Sequence, residues 1–113
     1  MMHDDVSDHA VAIGKAASPE KIATRKADFL LALGHRHRLH ILLLLKDKSM
    51  NIVELSEILS QHQGCISRHL THLREKNIVR VQRRDGQLYF TLSSSRARKM
   101  LDTLADIYQF STE

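Results

Sequence analysis

Most of the histidines and the only cysteine of the 113-residue chain lie in two short segments. The first segment holds three histidines at intervals of two and three residues: His35, His37 and His40. The second holds four groups at intervals of three, four and three residues: His62, Cys65, His69 and His72. Imidazole and thiolate are ligands of zinc and softer metals, and a nearby histidine can lower a thiol pKa. Both segments are therefore candidates for a metal site or a thiol switch.

Neither segment forms a complete site by sequence alone. His37 and His40 can share one helix face, but no thiol or carboxylate completes the set, so we favour capping and lining roles. For Cys65 and His69 we also favour structural roles, and we keep a metal-responsive or thiol-responsive switch as the alternative. A lone cysteine with a histidine four residues on lacks an orienting third group and an oxyanion site. We therefore expect no enzymatic activity and no cofactor.

A second set of side chains could recognise nucleic acid. Arginine pairs bidentately with guanine, glutamine with adenine, and serine with either. A glycine at a helix N-terminus allows the close approach that a phosphate needs. The candidate DNA-binding residues are Gln63, Gly64, Ser67, Arg68, Thr71, Arg83, Arg84 and Gln87. The formal charge of +4, from 17 Lys and Arg against 13 Asp and Glu, also suits a polyanionic partner.

These residues are positioned by the elements that hydrophobic periodicity predicts. Helices are expected from Ser18 to residue 33, over 36–45, from the Asn51 capping box to residue 59, and over 63–76. Alternating runs over 78–83 and 87–92 flank Arg84-Asp85-Gly86, which is a strong hairpin signal. A last helix follows from the serines at 93–95 to residue 108. The predicted class is mainly α with a small β-hairpin, in the order α-α-α-α-β-β-α.

The fourth helix and the hairpin together have the arrangement of a DNA reader. A three-residue turn, residues 60–62, precedes that helix, as in a helix-turn-helix. At about 100° per residue, Ile66, Leu70 and Leu73 form its buried side and the polar candidates face outward. Arg83 and Arg84 at the hairpin can hold the DNA backbone or enter the minor groove. The alternative is that they only protect an exposed sheet edge, and we favour the DNA role.

Length and composition favour one domain over residues 18–110, preceded by a flexible arm over 1–17. A single cysteine fits a reducing cytosol. No apolar run approaches the roughly 20 residues that span a bilayer, and the N-terminus lacks the features of a signal peptide. We expect a cytoplasmic protein with no membrane partner.

Several short segments carry a resemblance to a known family. They are Arg38-Leu39-His40-Ile41-Leu42, Val53-Glu54-Leu55, residues 63–70, Leu73-Arg74, Asn77-Ile78-Val79 and residues 84–89. These segments resemble the ArsR/SmtB family of winged-helix repressors over roughly residues 20–110. Ser67-Arg68-His69-Leu70 with Leu73 is the most specific part. Residues 93–108 are particularly similar to the metal-independent rhizobial nodulation repressors of this family.

The resemblance implies a dimeric winged helix-turn-helix repressor that binds an imperfect inverted repeat in double-stranded DNA. The homodimer would form through the first and last helices. The interface candidates on these helices are Phe29, Met100, Leu101, Leu104, Ile107 and Tyr108. A winged-helix module that binds proteins instead of DNA is the alternative, and the arginines of helix 4 and the hairpin argue against it.

The resemblance also locates two usual metal sites of the family. Asn51 and Val53 stand where the thiolate pair of one site would be, and valine cannot ligate a metal. The other site needs histidines on the last helix, but none follows His72, and Asp102 with Asp106 is a poor zinc set. We therefore expect regulation without either usual metal site.

Overall fold

The computed structural model describes residues 18–108, and its elements follow the predicted order. The helices are α1 (Pro19–Leu33), α2 (Arg36–Leu45), α3 (Ile52–Leu59), α4 (Gln63–Glu75) and α5 (Ser95–Ile107). The strands are β1 (Val79–Arg84) and β2 (Gln87–Leu92), paired antiparallel between α4 and α5. The predicted winged helix-turn-helix class is confirmed. The predicted arm over 1–17 and residues 109–110 of the predicted domain lie outside the described residues.

The chain divides into two compact units, the first ending at Leu31. In the first unit, the Ser18 hydroxyl accepts the Lys21 N–H at 3.2 Å at the start of α1, as predicted for a cap. Leu30 is 51% exposed and Leu31 is 69% exposed, and Phe29 is half-buried. Helix α1 therefore leaves apolar surface uncovered within this unit.

The second unit, from Ala32 onward, contains the hydrophobic core. Its largest fully buried side chains are Ile41, Leu42, Leu45, Leu55, Ile66, Leu70, Leu73, Ile78 and Leu101. Leu43 belongs to the same apolar run of α2, but its side chain is 47% exposed. The buried face of α2 takes Ile41, Leu42 and Leu45, which leaves Leu43 at its edge.

Local caps set the start of α3 and the turn that follows it. The Asn51 side-chain oxygen accepts the Glu54 N–H at 2.8 Å, and the Glu54 carboxylate accepts the Asn51 N–H at 2.9 Å, which confirms the capping box. Helix α3 ends at Ser60, whose φ of 54° is left-handed and was not predicted. Asn77, after α4, has a left-handed φ of 60°, a conformation that asparagine adopts readily and that closes the helix.

The hairpin turns in two residues and is tied back to the residue before the α3 cap. Arg84 pairs with Gln87, and Asp85 and Gly86 between them have φ values of 51° and 79°, as a type I′ turn requires. Met50 and Phe90 form an isolated antiparallel bridge, with N–H to O distances of 3.0 and 2.8 Å. This bridge fixes the hairpin next to the N-terminus of α3, and nothing in the sequence analysis predicted it.

We expect Asn51→Ala to lower the free energy of unfolding by about 1–2 kcal/mol, because it removes the cap of α3. The Asn51 amide also donates to the Gln87 side chain at 2.7 Å, so Gln87→Ala is the matched control. That exposed contact should contribute no more than about 0.5 kcal/mol. Urea denaturation of both variants measures the difference. Equal losses in the two variants would contradict the importance of the cap.

Candidate nucleic-acid interface

One face of α4 is fixed by burial and the other is left to solvent. Ile66, Leu70 and Leu73 are each at most 1% exposed, which is the predicted buried side. The remaining candidates of this helix lie away from the core. Gln63, Gly64, Arg68 and Thr71 are exposed, and Ser67 is half-buried. The structure therefore brings the predicted base-reading side chains together on one helix face.

The first turn of α4 is open at its N-terminus. His62 occupies the cap position with extended backbone, but its side chain makes no cap hydrogen bond. The first N–H groups of a helix have no partner within the helix. A Cβ added to Gly64 would meet no atom within 4 Å, so packing within the chain does not account for the glycine.

The hairpin places its candidate residues at an exposed tip, where two of them make contacts within the chain. Arg83, Arg84 and Gln87 are all exposed. The Arg84 guanidinium lies 4.2 Å from the centre of the Tyr89 ring, which is a cation–π contact. The Gln87 oxygen accepts from Asn51, so the tip is linked to the cap of α3.

Cys65 contacts an arginine on the same helix. The thiol is half-buried, and an Arg68 guanidinium nitrogen lies 3.5 Å from its Sγ atom. The group of three histidines that includes His69, described next, does not include Cys65. In the switch alternative, Cys65 was predicted to act together with His69. The contact of its thiol is with Arg68, and the ring contacts of His69 are with His35 and His37.

His69 faces two histidines that precede α2 or lie in its first turn. Its ring centre is 4.6 Å from that of His35 and 5.9 Å from that of His37, and the His35 and His37 centres are 5.4 Å apart. We call these three residues the histidine cluster. The sequence analysis divided them between two segments, because only the packing of the start of α2 beside α4 brings them together.

The surroundings of His35 and His69 favour the neutral form of these two imidazoles. Burial lowers the pKa of His69 below its ordinary value, and the positive charges of His35, Arg38, His37 and Arg68 lower it further. The pKa of His35 is lowered in the same way, by desolvation first and then by Arg38, His37 and Arg36. Neutral rings are the form that can accept hydrogen bonds or bind a metal.

Two of the residues at the positions that the resemblance assigns to metal sites have other partners. Asn51 is held in the capping box, and Val53 is 47% exposed. On α5, the Asp102 carboxylate forms an ion pair with Lys46. These contacts account for Asn51 and Asp102 through helix capping and charge pairing.

The proposed dimer residues differ in their exposure. Ile107 is 65% exposed and Tyr108 is 61% exposed, while Met100 and Leu104 are half-buried. Leu101 is 1% exposed and belongs to the core of a single chain. Leu101 therefore packs α5 onto the core of its own chain, whereas the side chains of Ile107 and Tyr108 are exposed and accessible to a partner.

Within residues 18–108, every helix is too short or too polar to cross a membrane.

Comparisons with known proteins agree on one family. The model of the family described as bacterial regulatory protein, arsR family, matches residues 35–81. The transcriptional activator HlyU of Vibrio cholerae is 32% identical over 89 residues, which cover 79% of this chain and 82% of HlyU. The crystal structure of NolR from Sinorhizobium fredii has 35% identity and a TM-score of 0.75, covering 81% of this chain and 94% of NolR.

A more distant structure shows the same fold. A homodimeric winged helix-turn-helix DNA-binding domain from Mycobacterium bovis has 18% identity and a TM-score of 0.72, covering 84% of this chain and 90% of its own. The matched family segment runs from His35, the residue before α2, through the helix-turn-helix into β1. The chain therefore belongs to the ArsR family of bacterial regulatory proteins, and it is a DNA-binding transcriptional regulator.

Proposed function

We propose that the chain represses transcription as a homodimer that binds an imperfect inverted repeat in double-stranded DNA. The observation that carries this proposal is the exposed polar face of α4, with the basic hairpin tip following in the same unit. In a helix-turn-helix, the second helix lies in the major groove and its N-terminal residues contact base edges. Helix α4 would be that recognition helix.

The first turn of α4 supports contact with DNA. Its N-terminal N–H groups lack a side-chain cap from His62, and that end of a helix favours a phosphate. Gly64 leaves open space there, so the DNA backbone can approach closely. Gln63, Ser67, Arg68 and Thr71 follow as the residues proposed to reach base edges.

The hairpin would act as a wing on the neighbouring backbone or minor groove. Arg83 and Arg84 provide two positive charges at its tip. The contact of Arg84 with the Tyr89 ring restrains its guanidinium, and the bond from Asn51 restrains Gln87. Restrained side chains lose less conformational freedom on binding than free ones do.

The homodimer is proposed from apolar side chains that one chain leaves uncovered. On α5 these are Ile107 and Tyr108, and on α1 they include Leu30. Apolar surface of this kind marks an interaction site, and a second copy would cover it. Two recognition helices about 34–36 Å apart would then reach successive major grooves.

We also propose that DNA release needs neither usual metal site of the family. The capping role of Asn51, the apolar side chain of Val53 and the ion pair of Asp102 support this. The alternative function is a thiol switch at Cys65, favoured by the closeness of its sulfur to Arg68 on the proposed reading face. A protein-binding module is the other alternative, and sequence-specific DNA binding would exclude it.

We expect Arg68→Ala to weaken operator binding by about 1–3 kcal/mol and to relax preference at one position per half-site, because Arg68 reads a base. Arg83→Ala should weaken binding to all DNA sequences alike. It should also reduce the salt dependence of the affinity by the amount that about one phosphate contact contributes. The measurement is fluorescence anisotropy at several salt concentrations, on an operator selected from random DNA and on unrelated DNA.

Arg96→Ala is the control for these two variants, since Arg96 is exposed on α5. It should bind both DNAs as the wild type does. If Arg68→Ala does so as well, the recognition face is assigned wrongly. If the wild type selects no sequence at all, the protein-binding module becomes the better description.

We expect Ile107→Asp to shift the chain from dimer to monomer, because it places a charge in the proposed apolar interface. Sedimentation at micromolar concentration measures the change. Ile58→Asp is a matched control, since Ile58 is 53% exposed on α3, outside the proposed interface. A wild-type chain that sediments as a stable monomer would rule the homodimer out.

We expect Cys65→Ser to bind operator DNA as tightly as the wild type, with chelator present throughout. Mild oxidant should leave the wild-type affinity within a few-fold, because the chain has no second cysteine to form an internal disulfide. A tenfold loss on oxidation, about 1.4 kcal/mol, that Cys65→Ser abolishes would establish the thiol switch instead.

A further inference from the structure

Within residues 18–108, the histidine cluster is the one group of three or more His, Cys, Asp or Glu side chains whose ligating atoms lie close enough together to hold a metal ion. The ligating nitrogens of His35, His37 and His69 all lie within 4.8 Å of one another. We propose that these three imidazoles bind one divalent transition-metal ion of the zinc class, which joins the residues at the start of α2 to α4. This proposal does not depend on the proposed function, and it uses none of the positions of the family's usual metal sites.

The ring positions are already close to those of a tris-histidine site. Zinc binds imidazole nitrogen at about 2.0–2.1 Å, so three rings around a tetrahedral ion have centres about 5 Å apart and nitrogens about 3.4 Å apart. The observed centre separations are 4.6, 5.4 and 5.9 Å. Side-chain rotations that bring the nitrogens closer complete the site, and water fills the fourth position.

The chemistry of the cluster selects the kind of metal. Imidazole suits zinc, nickel and copper, whereas magnesium and calcium require oxygen ligands, and the cluster contains none. The lowered pKa values of His35 and His69 reduce competition from protons near neutral pH. The charges of Arg36, Arg38 and Arg68 oppose a cation, so the site must draw its affinity from the three coordinate bonds.

Metal binding would also change how α2 begins. The Nδ1 atom of His35 accepts the His37 N–H at 3.1 Å and caps that helix. A metal-bound imidazole carries a proton on its other nitrogen. Binding through Nε2 would protonate Nδ1 and break the cap, and binding through Nδ1 would replace it. In both cases the coordinate bond to His35 takes over from the cap hydrogen bond.

A second hydrogen bond in the cluster is easily exchanged. The Arg36 Nε atom lies 3.4 Å from His37 Nε2, which is long for a hydrogen bond.

His69 lies on α4, in the same helix as the proposed base-reading residues. The proposed ion therefore lies between the start of α2 and the recognition helix.

The test uses the full chain without a histidine tag, stripped of metal with a chelator. Cobalt(II) is titrated while visible absorption is recorded, and zinc is then added in competition. We expect the absorption to saturate at one cobalt per chain and to disappear as zinc displaces it. Zinc should also raise the melting temperature of the wild type, since a ligand that binds only the native state stabilises it.

Two variants remove one ligand each, and two serve as controls. His35→Asn keeps a strong helix-capping residue while it removes the imidazole, and His69→Gln removes the ligand on α4. Each should weaken zinc binding at least tenfold while circular dichroism stays unchanged. His40→Gln, an exposed histidine on α2 outside the cluster, and Cys65→Ser should bind as the wild type does.

Three outcomes would overturn the proposal. The first is the absence of saturation at one cobalt per chain. The second is wild-type zinc affinity in a folded His69→Gln chain. The third is loss of the metal in Cys65→Ser, together with near-ultraviolet thiolate absorption in the wild-type cobalt complex, which would assign the metal to Cys65.

Discussion

The burial of three side chains on α4 determines which face of that helix is left to solvent and is therefore proposed to meet DNA. Ile66, Leu70 and Leu73 are each at most 1% exposed, so rotating the helix about its axis would expose apolar surface. Each such side chain contributes roughly 1.5–3 kcal/mol when fully buried. The orientation of the recognition face therefore follows from the core, and the polar residues opposite need no contacts of their own to be presented.

A junction at Met50 and Asn51 connects the hairpin to α3. Met50 bridges to Phe90 through two backbone hydrogen bonds, while Asn51 caps α3 and contacts Gln87. Two consecutive residues thus fix the start of α3 and one side of the hairpin at once. Because α3 also contacts α4, the hairpin and the proposed recognition helix are both held in place by α3.

The elements and the orientation of α4 could be predicted from the sequence, because periodicity, caps and the Asp85-Gly86 turn are local signals. The bridge at Met50 could not, since a single bridging residue has no period. The histidine cluster was missed for a related reason: residues 35 and 37 meet residue 69 only through packing. The exposure of Leu43 could not be predicted either, because an apolar run does not show where its buried face ends.

The residue types of the candidate DNA contacts could also be predicted from the sequence, whereas the contacts that these residues make within the chain could not. The contact of Arg84 with Tyr89 crosses the hairpin, and that of Gln87 with Asn51 spans 36 residues. Contacts of this kind depend on strand register and on the bridge at Met50. Sequence patterns give the residue types at a surface, whereas the fold decides which of them are restrained.

The open space around Gly64 has a consequence for how such regulators diverge. A Cβ at this position would touch nothing within the chain, and alanine is favoured over glycine inside a helix by roughly 1 kcal/mol. Folding therefore places no demand for glycine on position 64. A gene copy could exchange this residue without losing a folded product, so, if α4 reads DNA as proposed, this position is free to follow changes in the operator. Regulators with a shared scaffold could acquire separate target genes by this route.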